Sequence, residues 1–301
     1  NADGLIPFLN ELATHRDSQE LQIDFSQLQR VSPAGMTAFT AWMAYRSKKK
    51  YNTIPINLSK CVIKSYLDRM NMTSSCGLEK VKYASKRKSE KGRFIPLQQI
   101  AQDVDALGDD FAECLAPGGE DFEHPLCGLY DASWYLVTEM ANNVRQHSGG
   151  EGFVAAQTTQ RDGFVRIALA DCGRGIPSSL REAGFQWAQD EDDSSCIAKA
   201  LNARISSKGR PSNEGVGLTL SSRVSALMGG WMLVASGTGI VITTPDGKRK
   251  VETPMEGAGY PGTLITIAFR KEQAARFSDK LLEAKSLEEL LQDNRFSVNF
   301  E

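Results

Sequence analysis

Glu139-Met140-Ala141-Asn142-Asn143-Val144-Arg145-Gln146-His147-Ser148 closes a mostly apolar stretch that starts at Leu129, and the fold turns on how it is read. On a helix, Glu139, Asn143 and His147 recur at i, i+4 and i+8 and stay within an arc of roughly 80°. A carboxylate, a carboxamide and an imidazole on one face are costly to bury without partners or a task. Alone, the pattern also fits the wet face of an amphipathic helix. Two further patches lie downstream. Asp171-Cys172-Gly173-Arg174-Gly175-Ile176-Pro177 follows directly on an apolar strand, Phe164 to Ala170. An Asp at a strand end can accept a hydrogen bond from an exocyclic amine, and alternating glycines allow positive φ and close backbone approach. Asn213-Glu214-Gly215-Val216-Gly217-Leu218-Thr219-Leu220 runs into a helix, and such glycines leave free N–H groups at the positive dipole end, a seat for phosphate. Walker A and Rossmann fingerprints are both missing.

Around these patches the chain is ordinary in bulk: 301 residues, 33.0 kDa, 41% hydrophobic and 24% charged, with a mean hydropathy of -0.33. This length suits about two domains, and the composition excludes whole-chain disorder. Lys+Arg 35 against Asp+Glu 37 gives a net charge of -2, so no global field draws the chain to nucleic acid or anionic lipid. Apolar runs fall short of the ~20 residues of a membrane span, and the first ten residues do not read as a signal peptide. Cys61, Cys76, Cys114, Cys127, Cys172 and Cys196 form no C-x-x-C pair and read as free thiols of a reducing, cytoplasmic protein. His15, His124 and His147 are too scattered for a zinc site.

Charge is uneven locally. Glu79 to Arg93 carries seven basic and two acidic residues, whereas Phe94 to Tyr130 carries eight acids and no Lys or Arg. Either the two stretches are a solvated linker and an acidic helix face, or they form a docking surface. Residues 1–75 read as an α/β unit: a helix at Leu5 to Leu12, a strand at Leu21 to Phe25, a helix from Pro33 to about Ser47, a strand at Ile54 to Leu58 and a helix at Lys60 to Met70. Two β-α units imply parallel pairing. Residues 76–95 read as a basic linker. Residues 96–270 open with helices at Leu97 to Leu115 and Leu129 to His147, then give strands at Gly152 to Thr158 and Phe164 to Ala170. A helix at Val216 to Met228 and strands at Trp231 to Ser236, Ile240 to Thr244 and Thr263 to Phe269 complete an α+β sandwich on a mixed, mostly antiparallel sheet. Residues 271–301 form a helical tail.

The ordered set (E-x-x-x-N-x-x-x-H, a strand pair, D-x-G-x-G-I, a variable segment, a G-x-G-L-x-L helix and Gly262-Thr263) resembles the GHKL superfamily of histidine kinase-like ATPases. The resemblance implies a Bergerat-type α/β sandwich with an ATP site. It makes Glu139 the general base, Asn143 the Mg²⁺ ligand and Asp171 the reader of the adenine amino group, with Thr263 in support. Gly173, Gly175 and Ile176 would line the nucleotide, and Gly215, Gly217 and Leu218 would seat the phosphates. His147 would lie near the phosphates or cap its helix. Ser178 to Asn213 would be an ATP lid, from which Lys208 and Arg210 reach the phosphates or stay solvated. Within the superfamily, E-x-x-x-N-x-x-x-H-S is similar to anti-sigma-factor kinases, and no histidine phosphoacceptor helix accompanies it; His124, before Pro125, reads as structural.

Ile23-Asp24-Phe25-Ser26 and Val31-Ser32-Pro33-Ala34-Gly35 resemble a STAS domain, the fold of anti-sigma-factor antagonists, with Ala34 where the family carries its phosphoacceptor serine. Ser32 and Thr37 are the nearby hydroxyls. The expectation is a STAS-like regulatory domain before a Mg-ATP-binding domain that hydrolyses ATP or phosphorylates a protein partner. A nucleotide-dependent switch without turnover and a histidine kinase are the alternatives. A regulator or sigma-type partner is expected, nucleic acid and membrane are not, and a homodimer stays open.

Overall fold

The computed structural model describes residues 4–78, 90–159, 161–202 and 217–296. Near the N-terminus, α1 (Leu5–Thr14) precedes β1 (Glu20–Asp24), α2 (Pro33–Lys48) and β2 (Asn52–Ile56), and β1 pairs with β2 in parallel as expected. Two short helices, α3 (Lys64–Arg69) and α4 (Met72–Ser75), follow. α2 starts where its sequence says it should: Ser32 accepts from Gly35 N at 3.2 Å as the N-cap, and Pro33 fills the first turn.

Seven strands make the main sheet: β3 (Phe94–Gln99), β4 (Gly152–Thr159), β5 (Phe164–Asp171), β6 (Trp231–Gly237), β7 (Gly239–Thr243), β8 (Arg249–Val251) and β9 (Tyr260–Arg270). Their order is β3-β4-β5-β9-β6-β7-β8, antiparallel at every neighbouring pair rather than mixed. The last strand in the sequence, β9, is inserted at the centre. Side chains alternate across the sheet. Val154, Ala156, Val165, Ile167, Val234 and Ile267 face a layer built from α5 (Val104–Leu115), α6 (Cys127–Asn143), α10 (Gly217–Leu227) and α11 (Phe277–Phe296). Between β5 and α10 lie α7 (Ile176–Glu182), α8 (Gln186–Asp190) and α9 (Asp193–Ala200), which share a small apolar cluster of Leu180, Ala188, Cys196 and Ala200.

The opposite face of the sheet is covered by the N-terminal segment. Phe153, Ala155, Ala168, Ala170, Leu233, Ala235 and Leu264 share one core with Leu9, Met36, Phe39 and Trp42. Alanines dominate the strand side of this seam, which lets α2 lie close to the backbone, and Pro33 to Trp42 is buried all the way round. Tyr260 Oη donates to Ala38 O at 3.0 Å, and Trp42 Nε1 donates to Leu12 O at 2.7 Å. Arg46 is fully buried with no carboxylate ion-paired to it among the described residues; it donates to the carbonyls of His15 (2.9 Å), Arg16 (3.1 Å) and Asn52 (3.1 Å), stacked on Trp42 at 4.9 Å.

Three local expectations need correcting. The helix expected from Leu97 is an edge strand, β3, as far as Gln99. Pro96 is tolerated there because an edge need not donate on both sides, and the register shifts between Ile95 and Gln98. α5 begins only after Asp103, whose carboxylate accepts from Ala106 N at 3.0 Å. The helix expected from Lys60 begins at Lys64. No helix among the described residues is long and apolar enough to cross a membrane.

Candidate functional site

Glu139 and Asn143 lie in the last turns of α6, whose Leu136, Val137, Met140 and Ala141 are buried against the sheet. The α-helix ends at Asn143, and Val144–Ser148 makes a wider, π-type turn. His147 therefore leaves the i+8 register expected of a continuous α-helix; such turns recur at functional sites because they re-aim side chains. The half-buried Glu139 carboxylate is pushed above the ordinary carboxylate range by loss of solvent. A Cβ built on Gly217 would collide with Glu139 Oε2, so the first residue of α10 stands against this carboxylate. Any larger residue there would push the Glu139 carboxylate out of this position. The first and third sequence patches thus meet.

Asp171 ends β5 and is 3% exposed. Its Oδ1 accepts from Ser148 Oγ at 2.6 Å and Gly173 N at 2.7 Å, and the backbone N–H of Thr263 bonds to the same carboxylate. Burial outweighs these bonds, and the acid is pushed up to about 6. Four residues on, Gly175 turns with φ 79°, and a Cβ there would stand 2.6 Å from Ser236 Oγ. Ser236 Oγ accepts from Ile176 N at 2.9 Å, donates to Gly262 O at 2.7 Å, and lies 3.3 Å from Thr263 Oγ1. One hydroxyl at the end of β6 therefore ties the turn after β5 to the start of β9. Leu218 and Ile176 pack between the main core and the small cluster of α7, α8 and α9.

Among the expected site residues, Glu139 meets Gly217, while Asp171, Gly173, Gly175, Ile176 and Thr263 form one connected network. Lys208 and Gly215, with Arg210, lie outside the described residues. Ser148 and Ser236 were not expected. Ser148 was legible as the residue closing the first patch, whereas Ser236 carries no local signal, since its role comes from the pairing of β6 with β9. His124 Nδ1 accepts from Leu126 N at 3.2 Å in the turn before α6. Thr37 is fully buried and bonds to Pro33 O and Ala34 O, and Ser32 is spent on its N-cap.

The geometry offers a buried carboxylate acceptor at one end and an acid against a helix start at the other. Residues 132–269, from α6 to β9, match the family described as histidine kinase-, DNA gyrase B-, and HSP90-like ATPase. No curated protein matches the chain.

Proposed function

We propose that this chain is a cytoplasmic Mg-ATP-binding protein whose GHKL-type ATPase domain, residues 132–269, hydrolyses ATP or passes its γ-phosphate to a protein partner. The observation that carries this reading is the convergence of Glu139 and Gly217 in the last turns of α6, with the buried Asp171–Ser148–Gly173 network just past that same C-terminal end. Asp171 keeps an ionisable acceptor for an adenine amine, and the start of α10 presents N–H groups to phosphate.

Mg²⁺ fits the residues present: Asn143 Nδ2 is buried and finds no hydrogen-bond partner among the described residues, and the same amide carries the kind of oxygen a hard cation takes. When bound, Mg²⁺ would offset charge on the phosphates. Glu139, raised by burial, is suited to accept the proton of an attacking water or hydroxyl. The N-terminal segment, read as a STAS-like module, has a path to the site. Tyr260 bonds to α2, and three residues along β9 Thr263 bonds to Asp171.

Replacing Glu139 by Gln tests the reading. Nucleotide affinity should stay close to wild type while phosphate release or transfer falls about 100-fold or more. A wild-type chain that gives no calorimetric signal with Mg-ATP would overturn it. Binding without turnover in both proteins would favour the nucleotide switch. Label from γ-phosphate-labelled ATP appearing stably on Ser32 or Thr37 would refute a docking role for the N-terminal module.

A further inference from the structure

Outside the nucleotide site, a hollow of about 300 Å³ is lined by Asp109, Tyr130, Asp131, Trp134, Tyr135 and Phe277. Four of these six are aromatic, two are carboxylates, and none is basic. The rings come from two rungs of α6, Tyr130 with Trp134 and Asp131 with Tyr135, each spaced i, i+4 on one side of the helix. Phe277, buried at the start of α11, forms the floor with its ring 5.7 Å from that of Tyr135. Gly108 of α5 lets the indole in: a Cβ there would stand 3.0 Å from Trp134 Cδ1 and Nε1. Tyr130 Oη donates to Asp109 Oδ1 at 3.3 Å, which fixes one carboxylate at the rim. Asp131 has no hydrogen bond or ion pair among the described residues, and the carboxylates of Asp109, Glu120 and Glu113 hold the Tyr130 hydroxyl's pKa up, after its burial.

We propose that this hollow binds an alkylated ammonium head group, as a free small molecule or on a methylated lysine side chain. Anions are repelled by the two carboxylates, and a neutral apolar ligand would strip water from them without return. A simple ammonium could bond the two carboxylates but would surrender its strong hydration against four rings. A quaternary ammonium has no N–H, is weakly hydrated and spreads its charge over methyl groups, which aromatic faces and nearby carboxylates stabilise. The volume lies at the small end of ligand sites. Tyr135 is one turn, about 6 Å of helix axis, before Glu139, so the occupant sits beside the nucleotide site without sharing it.

Choline chloride titrated into the full chain, followed by tryptophan fluorescence and calorimetry without nucleotide, tests the assignment. Controls are sodium chloride at equal ionic strength and the neutral analogue with a tert-butyl group in place of the trimethylammonium head. Choline should bind saturably and about tenfold more tightly than the neutral analogue. The Asp109→Asn, Asp131→Asn double variant should weaken choline about tenfold at unchanged thermal stability. A neutral peptide with one trimethyl-lysine, compared with its unmodified form, distinguishes the sources: tighter binding than choline assigns the site to a side chain, weaker binding to a free molecule. Equal binding of the neutral analogue, no saturation by choline or peptide, or an unaffected double variant would each overturn the proposal. None of these outcomes depends on ATP binding.

Discussion

Asp171 shows how far one residue carries the site. Buried and raised to about 6 from 3.8, it binds a proton more tightly folded than unfolded. Its contribution to stability is therefore fully present below about pH 4 and lost as pH rises through 6, about 3 kcal/mol in all. Other carboxylates run the opposite way: Asp162 and Glu113 are lowered, first by their bonds to Arg166 and Lys91. The clean measurement is accordingly a difference. Urea unfolding of wild type minus Asp171→Asn should fall by roughly 3 kcal/mol between pH 4 and 7, and a flat difference would mean the carboxylate is not desolvated. If Asp171 reads the adenine amine as proposed, nucleotide binding has the opposite sign: affinity should drop about tenfold per unit below pH 6 and lose this dependence in Asp171→Asn. The D-x-G-x-G pattern made Asp171 legible. The bond from Ser148 was not, because it depends on how the turn after α6 folds back.

At the scale of elements, the sequence was clearest where one period dominates. β4, β5, β6 and α10 lie within a residue or two of their expected ends, since an apolar run or a glycine start marks them. It was least clear where a short element breaks the pattern. β3 hides a proline and a register shift, and the π-type turn at Val144–Ser148 inserts an irregularity that no spacing rule shows. The contact between α6 and α10 gives a test. Gly217→Ala opens α10 with a residue that suits a helix at least as well, so the fold should survive, but the new Cβ displaces Glu139 Oε2. Turnover should fall at least about tenfold while adenosine, which lacks phosphates, binds as in wild type. Unchanged turnover would mean that Glu139 works from another position.

The whole molecule is held by a sheet that is dry on both faces, and here the sequence said more than its alternation suggests. Phe153-Val154-Ala155-Ala156 and Ile167-Ala168-Leu169-Ala170 are apolar without a break, the mark of strands covered on two sides. What they could not show is which segment does the covering. α2 does, and Phe39 at 5% exposure lies in the same core as Ala168 and Leu264. Because the two cores share the strands between them, neither should melt alone. Scanning calorimetry of the described fold should give one transition, and Phe39→Ala should lower it as a whole by about 3–5 kcal/mol. Mg-ATP at a hundredfold excess over Kd should raise that same transition by ~2.7 kcal/mol. Two peaks, with nucleotide moving only the upper one, would show that the N-terminal segment is a lodger on the sheet and has no leverage on Asp171. A single peak moved by both perturbations would mean that the surface of α2 and the nucleotide site draw on one free energy, so a partner loading α2 would change ATP affinity and ATP would change the partner's by the same factor.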